Sequence, residues 1–330
     1  MKSVLVTGPD GVLGSNLLRE LLKRGYAVTA MSEDGKASPT IDDLPINKIG
    51  GNLLNSSDIL NATKGMDAVI HCAASTSMFP ARSEIVNKVN IGGTQNIIDA
   101  CLANQVKRLI YVGTANSFGS GTLENLGTEK NPYNAFHYGL DYMDSKYKAQ
   151  ELVLEKVRNE GLDAVVVNPT FMIGPYDSRP SSGEMILSIY KKKVPGYTLG
   201  GKNFVAVKDV AVAITNAIDK GKSGECYILA NENLTYKQAF DKIAATIGVV
   251  PPKLRLPSAA VKTIGKLSTF AATTFKYTPN LTYELSVLSS EIHFYSPAKA
   301  IAELDLPQTP IEVAIKECFE WFKENDYIKN

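Results

Sequence analysis

Two periodicities alternate along the first half of the chain. Val4-Leu5-Val6 is an apolar run long enough for a buried strand, and Leu17, Leu18, Leu21 and Leu22 then share one face of a helix that stops near Lys23–Gly25. Ala27–Met31 reads as a second strand, Lys48–Leu54 as a third short strand with a turn, and Asp58–Thr63 as a short helix. Asp67–Ala74 is a strand ending in small residues. Asn87–Asn104 is a helix with Val89, Ile97, Ile98, Ala100 and Cys101 on a broad apolar face. Arg108–Gly113 and Ala164–Asn168 are further strands, flanking a helix from about Tyr138 to Arg158. Apolar strands alternating with amphipathic helices predict an α/β fold with a doubly wound parallel sheet.

After Pro175 the alternation becomes irregular. Glu184–Lys193 reads as a helix ending in a solvated lysine turn, Phe204–Val207 and Glu225–Leu229 as strands that rejoin the main sheet, and Thr235 as the N-cap of a helix. Glu312–Lys323 closes the chain as a helix. The expected division is a nucleotide-binding domain over 1–174, rejoined by 204–230, and a smaller α/β lobe over 175–203 and 231–330. Pro251–Ser290 is rich in Pro, Leu, Ala, Thr and aromatics and poor in carboxylates. It reads as a cap on a cleft with an apolar or aromatic substrate wall, or as plain lobe core.

Composition removes several classes of protein. At 330 residues, 44% apolar and with net charge +1, the chain has ample core and no charge signature for nucleic acid. Cys72, Cys101, Cys226 and Cys318 are far apart and form no CxxC, as expected of reduced thiols in a cytoplasmic protein. No metal-ligating cluster, signal peptide or membrane-length apolar run is read, so the expected partner is a small molecule.

The chemistry begins at Gly8, Gly11 and Gly14, between the first strand and the first helix. Gly8 permits a tight turn, Gly11 lets backbone approach a pyrophosphate, and Gly14 lets the helix pack close; the helix N-terminus then favours phosphate. This is a Rossmann-type dinucleotide signature, and ordinary turn glycines are the competing reading. Ser32-Glu33-Asp34 ends the second strand with no Arg or Lys between Arg24 and Lys36, which favours NAD over NADP. Glu33 and Asp34 as mere surface decoration, or Lys36 swinging in, remain open. Asn52 and Leu53 are placed to touch an adenine, and Cys72, Ala73 and Ala74 leave room for a cofactor at the sheet edge. His71, in an apolar strand without a partner acid, reads as a core histidine. Asn90 reads equally as an orienting contact or a surface amide.

Thr114-Ala115-Asn116-Ser117 presents hydroxyl and amide groups at a strand's C-terminal end, where α/β sheets bind ligands. Tyr142 and Lys146 stand one helical turn apart on one face. An ammonium beside a phenol lowers the phenol's ordinary value of about 10 toward working pH, which proton transfer requires. Tyr295 and Lys299 repeat the spacing, but Pro297 starts a helix that leaves Tyr295 outside. Pro169–Pro175 is a turn that could wall a nicotinamide.

Taken together, TGxxGxxG at Thr7–Gly14, Asp67 with HCAA at His71–Ala74, Asn90, the hydroxyl at Thr114, Tyr142xxxLys146 and NPTxxxGP at Asn168–Pro175 resemble the extended short-chain dehydrogenases/reductases, the NAD-dependent epimerase/dehydratase family. Asn168 through Ser182-Gly183 and Phe204–Ala211 look most like the dihydroflavonol-reductase-like branch. The resemblance implies Tyr142 as acid/base, Lys146 as ribose ligand and tuner of Tyr142, and Thr114 in place of the commoner Ser. It implies NAD(P) contacts at Gly8, Asp10, Gly11, Val12, Leu13, Gly14, Ser32, Glu33, Asn52, Leu53, Cys72, Ala73, Ala74, Thr76, Asn90, Val112, Tyr142, Lys146, Pro169, Thr170 and Met172. Substrate contacts are expected at Met78, Asn116, Ser117 and Tyr176, and a homodimer through the helices at Asn87–Asn104 and Tyr138–Arg158. Pro9-Asp10 departs from the family's phosphate loop, Glu33 stands where NADPH-using reductases have Arg, and Thr114 adds a methyl.

Three functions compete. The first is an NAD(P)-dependent oxidoreductase acting on a carbonyl or the matching alcohol. The second is a nucleotide-sugar epimerase or dehydratase with tightly held NAD, which needs cations for a diphosphate; beyond Arg158 the only arginines are Arg179 and Arg255. The third is a non-catalytic dinucleotide sensor, for which loss of Tyr142 or Lys146 would be expected.

Overall fold

The computed structural model describes residues 2–33 and 38–328, so Asp34 and Lys36 lie outside the described residues. The first half supplies β1 (Ser3–Thr7), α1 (Val12–Lys23), β2 (Ala27–Ser32), β3 (Asn47–Gly50), α2 (Ser56–Thr63) and β4 (Ala68–His71). α3 (Glu84–Asn87), a π turn (Lys88–Gly92), α4 (Gly93–Ala103), β5 (Arg108–Val112), α5 (Asp141–Glu160) and β6 (Ala164–Pro169) follow. The second half supplies β7 (Phe171–Ile173), α6 (Glu184–Tyr190), β8 (Gly201–Ala206), α7 (Val207–Lys220), β9 (Cys226–Leu229) and β10 (Glu232–Thr235). Last come α8 (Tyr236–Ile247), α9 (Ser258–Phe275), α10 (Tyr283–Leu288), β11 (Ile292–His293), α11 (Ala298–Leu304) and α12 (Ile311–Glu324).

Seven strands form one parallel sheet in the order β3-β2-β1-β4-β5-β6-β9. Its strands are continuous apolar runs because both faces are covered. Val4, Val6, Ile70 and Val165 face α1 and α7, while Leu5, Val69, Tyr111 and Val166 face α4 and α5. The strand order reverses between β1 and β4, and it is beyond the C-terminal ends of such strands that doubly wound sheets bind ligands.

A second sheet of four strands is centred on β8, which pairs with β10, β11 and β7. Phe204–Ala206 therefore does not rejoin the main sheet as expected. β7 leaves β6 after Thr170 alone and offers β8 a parallel edge, and the chain returns to the main sheet only through α7 and β9. Ile173, Phe204 and Leu234 of this sheet pack with α6, α8 and α12 around Ile186, Phe240 and Phe322. Thr235 caps α8 in a reciprocal capping box with Gln238.

Several helix boundaries differ from the reading by period: α2 begins at Ser56 and not Asp58, and α6 ends at Tyr190 and not Lys193. Gly139 takes a left-handed φ of 65° after a 3-10 turn at Ala135–Tyr138, so α5 starts at Asp141, not Tyr138. The helix expected from Asn87 begins at Glu84 and carries the π turn in its middle.

Candidate active site

The glycine loop is shaped by its neighbours. A Cβ on Gly8, whose φ is +67°, would lie 2.8 Å from Ala73 Cα, so β1 and β4 exits meet there only without a side chain. A Cβ on Gly14 would stand 2.2 Å from the Gly8 carbonyl oxygen, whereas one on Gly11 would meet nothing closer than that oxygen at 3.7 Å. The loop is thus tight beneath and open above Gly11. α1 has no side-chain N-cap bond and no acid in its first turn, so its first N–H groups and dipole are left for an anion. These features fit a dinucleotide pyrophosphate. Asp10 is held in an ion pair with Arg179. Leu13 is buried in the core, so only its backbone can serve a ligand, while Val12 is partly exposed beside it.

At the adenosine end Ser32 is partly exposed and Glu33 exposed at the end of β2. The Asn52 side chain is committed to its own turn, accepting from Leu54 N at 2.8 Å. Leu53 packs over Gly93, and its carbonyl accepts from Asn96 Nδ2 at 2.7 Å. Cys72, Ala73 and Ala74 are partly exposed and Thr76 is exposed at the β4 exit. Burial pushes the Cys72 thiol up to about 12, against the pull of Lys146, which makes it a lining group and no nucleophile. His71 is buried between the hydroxyls of Thr7 (2.8 Å) and Thr94 (3.3 Å). Burial, then the Lys146 charge, push it down to about 3, as befits a neutral core histidine.

α5 carries the reacting groups. Lys146 is 4% exposed; its Nζ donates to the Val112 carbonyl at 2.7 Å and lies 4.4 Å from the centre of the Tyr111 ring. Burial lowers it to about 7, the Cys72 thiol acting in the other direction. The Tyr142 phenol neighbours the Thr114 hydroxyl, whose side chain also caps the turn after β5 by accepting from Asn116 N at 3.3 Å. Burial holds the phenol above its ordinary value, and the nearby Thr114 hydroxyl opposes it. The lowering of Tyr142 expected from Lys146 is therefore not produced by the protein alone, because the ammonium is directed at Val112.

Several contacts that position this pair have no local sequence signal. Asn90, in the π turn and 2% exposed, accepts from Ser75 N (2.7 Å) and donates to Ser75 O (3.0 Å) and Ser145 Oγ (2.9 Å). It is an orienting contact between the β4 exit and α5, not a surface amide. Asn168, fully buried, donates from Nδ2 to Thr114 O (3.0 Å) and Gln150 Oε1 (2.7 Å). Arg82 bonds Asp141 (2.8 Å) and Asp144 (3.0 Å) at the start of α5, and Tyr133 donates to Asp144 at 2.6 Å. Burial opposes ionisation of Asp141, but Arg82 and the Ser83 N–H hold its carboxyl below the ordinary range. Arg82 lies 59 and 62 residues from these acids, too far along the chain for a local pattern to join them.

On the substrate side Met78, Tyr138, Tyr142 and Leu285 pack around Leu140, Met143 and Leu288. Asn116 shares a small pocket with Tyr138, Met143 and His293, while Ser117 is buried with its Oγ unpartnered. Tyr176 is not brought to this group: its ring lies 3.7 Å under the Arg19 guanidinium and beside Trp321. Pro169 is buried, Met172 packs against the main core, and the Thr170 hydroxyl donates to Asn203 at 2.7 Å.

A doubly wound sheet, a glycine loop under an uncapped helix and a Tyr–Lys pair at the C-terminal edge of the same sheet define a dinucleotide-dependent oxidoreductase. Residues 4–230 match the profile of the NAD dependent epimerase/dehydratase family, and the chain belongs to that family, within the extended short-chain dehydrogenases/reductases. It is 29% identical to a Synechocystis protein named as a dihydroflavonol 4-reductase, over 98% of this chain and 95% of that one. It is also 29% identical to sterol demethylase protein B of Methylococcus capsulatus, over 99% and 100%. The crystal structure of gox2253 superposes with a TM-score of 0.87 at 30% identity, covering 100% of both chains.

Proposed function

We propose that this enzyme reduces the carbonyl of a largely apolar small molecule, or oxidises the matching alcohol. The observation that carries the reading is the packing of the partly buried Tyr142, close to the Thr114 hydroxyl, on an apolar cluster containing Met78, Tyr138, Leu285 and Leu288. Thr114 and Tyr142 would both bond the substrate oxygen, and Tyr142 would pass its proton to that oxygen as it becomes an alkoxide. The glycine loop, the N-terminus of α1 and Lys146 would hold NAD(P), which supplies or accepts the hydride. Lys146 would then leave Val112 in part to meet a ribose hydroxyl, and its charge, nearer Tyr142, would lower the phenol. The names of the relatives, a dihydroflavonol reductase and a sterol demethylase protein, support an apolar substrate. Glu33 at the end of β2 supports NAD over NADP, since a carboxylate there repels a 2′-phosphate.

An epimerase or dehydratase of a nucleotide-linked sugar has one observation in its favour. Lys202, partly buried over the Phe171 ring at 4.6 Å and paired in register with His293, has no carboxylate partner among the described residues and could meet a diphosphate. Consumption of added cofactor separates the two. We expect oxidation of NADH, and more weakly NADPH, with apolar aldehydes or ketones, falling about 100-fold or more in Tyr142→Phe and Thr114→Ala while NADH affinity stays within about 3-fold. Turnover of a sugar nucleotide without net NADH loss would replace the reading.

A further inference from the structure

We propose that α9 and the segment leading into it form a docking face for an anionic lipid surface. α9 is apolar on two sides. Val261, Gly265 and Ala272 are buried, and a Cβ on Gly265 would stand 2.7 Å from Ser286 Oγ, so this side lies tight against α10. On the other side Ile264, Leu267, Phe270 and Phe275 are 58%, 65%, 72% and 75% exposed, with Leu254 and Val250 exposed just before the helix. An isolated exposed Leu is ordinary; a run of large apolar side chains along the outer face of one helix is not.

Charge selects the occupant. From Pro251 to Tyr283 there are five cations, Lys253, Arg255, Lys262, Lys266 and Lys276, and no Asp or Glu, in a chain whose net charge is only +1. A second copy meeting this face about a two-fold axis would set like charges against each other. A surface of anionic headgroups over acyl chains complements both properties. A lipid surface needs no groove: a row of exposed apolar side chains on one helix suffices. No helix among the described residues is long and apolar enough to cross a membrane, so the contact is peripheral. α10, on which α9 rests, places Leu285 and Leu288 in the cluster around Tyr142, so the docked face borders the site.

Co-sedimentation of the full chain with vesicles tests this. Phosphatidylcholine vesicles containing about 30% phosphatidylglycerol should bind it, pure phosphatidylcholine should bind at least about 10-fold less, and about 0.5 M salt should release it. Leu267→Glu with Phe270→Glu should abolish sedimentation while far-UV circular dichroism is unchanged. Should that pair fail to fold, Lys262→Gln with Lys266→Gln and Lys276→Gln must weaken binding to the anionic vesicles by about 10-fold. Absence of binding, equal binding to neutral vesicles, or variants that bind as well as wild type would overturn the proposal. So would a dimer in solution that Leu267→Glu dissociates, which would make the face an interface between copies.

Discussion

Lys146 is the residue whose environment departs furthest from what its spacing alone conveys. One helical turn from Tyr142 is local geometry, and a sequence carries it directly. That its ammonium reaches the Val112 carbonyl on a strand 34 residues away is not local, and neither is the burial that lowers it to about 7. Asn90 was undecided in the sequence for the same reason: its partners Ser75 and Ser145 come from two other elements. The depressed Lys146 has a measurable consequence. In the unfolded chain it titrates near 10.4, so between about 7 and about 10 the unfolded state binds more protons and stability from this group rises with pH. Below about 7 the folded state bears the full cost of the buried charge. Lys146→Met removes this dependence, so the stability of the Met variant minus that of wild type should decrease as pH rises from 7 to 10. Urea midpoints across that range would show it, and a constant difference would mean that the ammonium is not held buried.

Among elements, those of the main sheet were legible because burial on both faces leaves uninterrupted apolar runs such as Val165-Val166-Val167. β8 was read as a strand, but its sheet was not, since pairing depends on the edge that β7 happens to offer. The π turn in the helix after Ser83 left no pattern to read, because one extra residue per turn does not disturb a broad apolar face. What joins these elements at the site is Asn168, which ties the exit of β5 to β6 and α5. Asn168→Ala removes the donor to the buried Gln150 amide oxygen and one of the two donors to the Thr114 carbonyl, the other being Ser117 N. It should cost about 1–3 kcal/mol in urea unfolding and lower turnover about 10-fold by loosening Thr114, with NADH affinity kept. Unchanged turnover at reduced stability would make Asn168 a core residue only.

At the scale of the molecule, the glycine loop and the Tyr–Lys helix were readable because each is encoded within a few residues, while the two sheets' shared border was not. That border is one residue wide: β6 belongs to one sheet, β7 to the other, and Thr170 alone separates them. The chain then crosses back, since α7 covers α1 and β9 completes the edge beside β6. A truncated chain stopping at Gly174 would therefore carry the whole glycine loop and Tyr142, yet expose the β6 edge and the apolar flank of α1. Expressed alone it should be insoluble, and co-expression of the remainder should rescue it into a soluble non-covalent pair. Solubility of the short piece by itself would contradict the stitched arrangement. Gene fusions or split reporters built on this scaffold belong in the exposed turns, because no cut through the middle yields two self-sufficient parts.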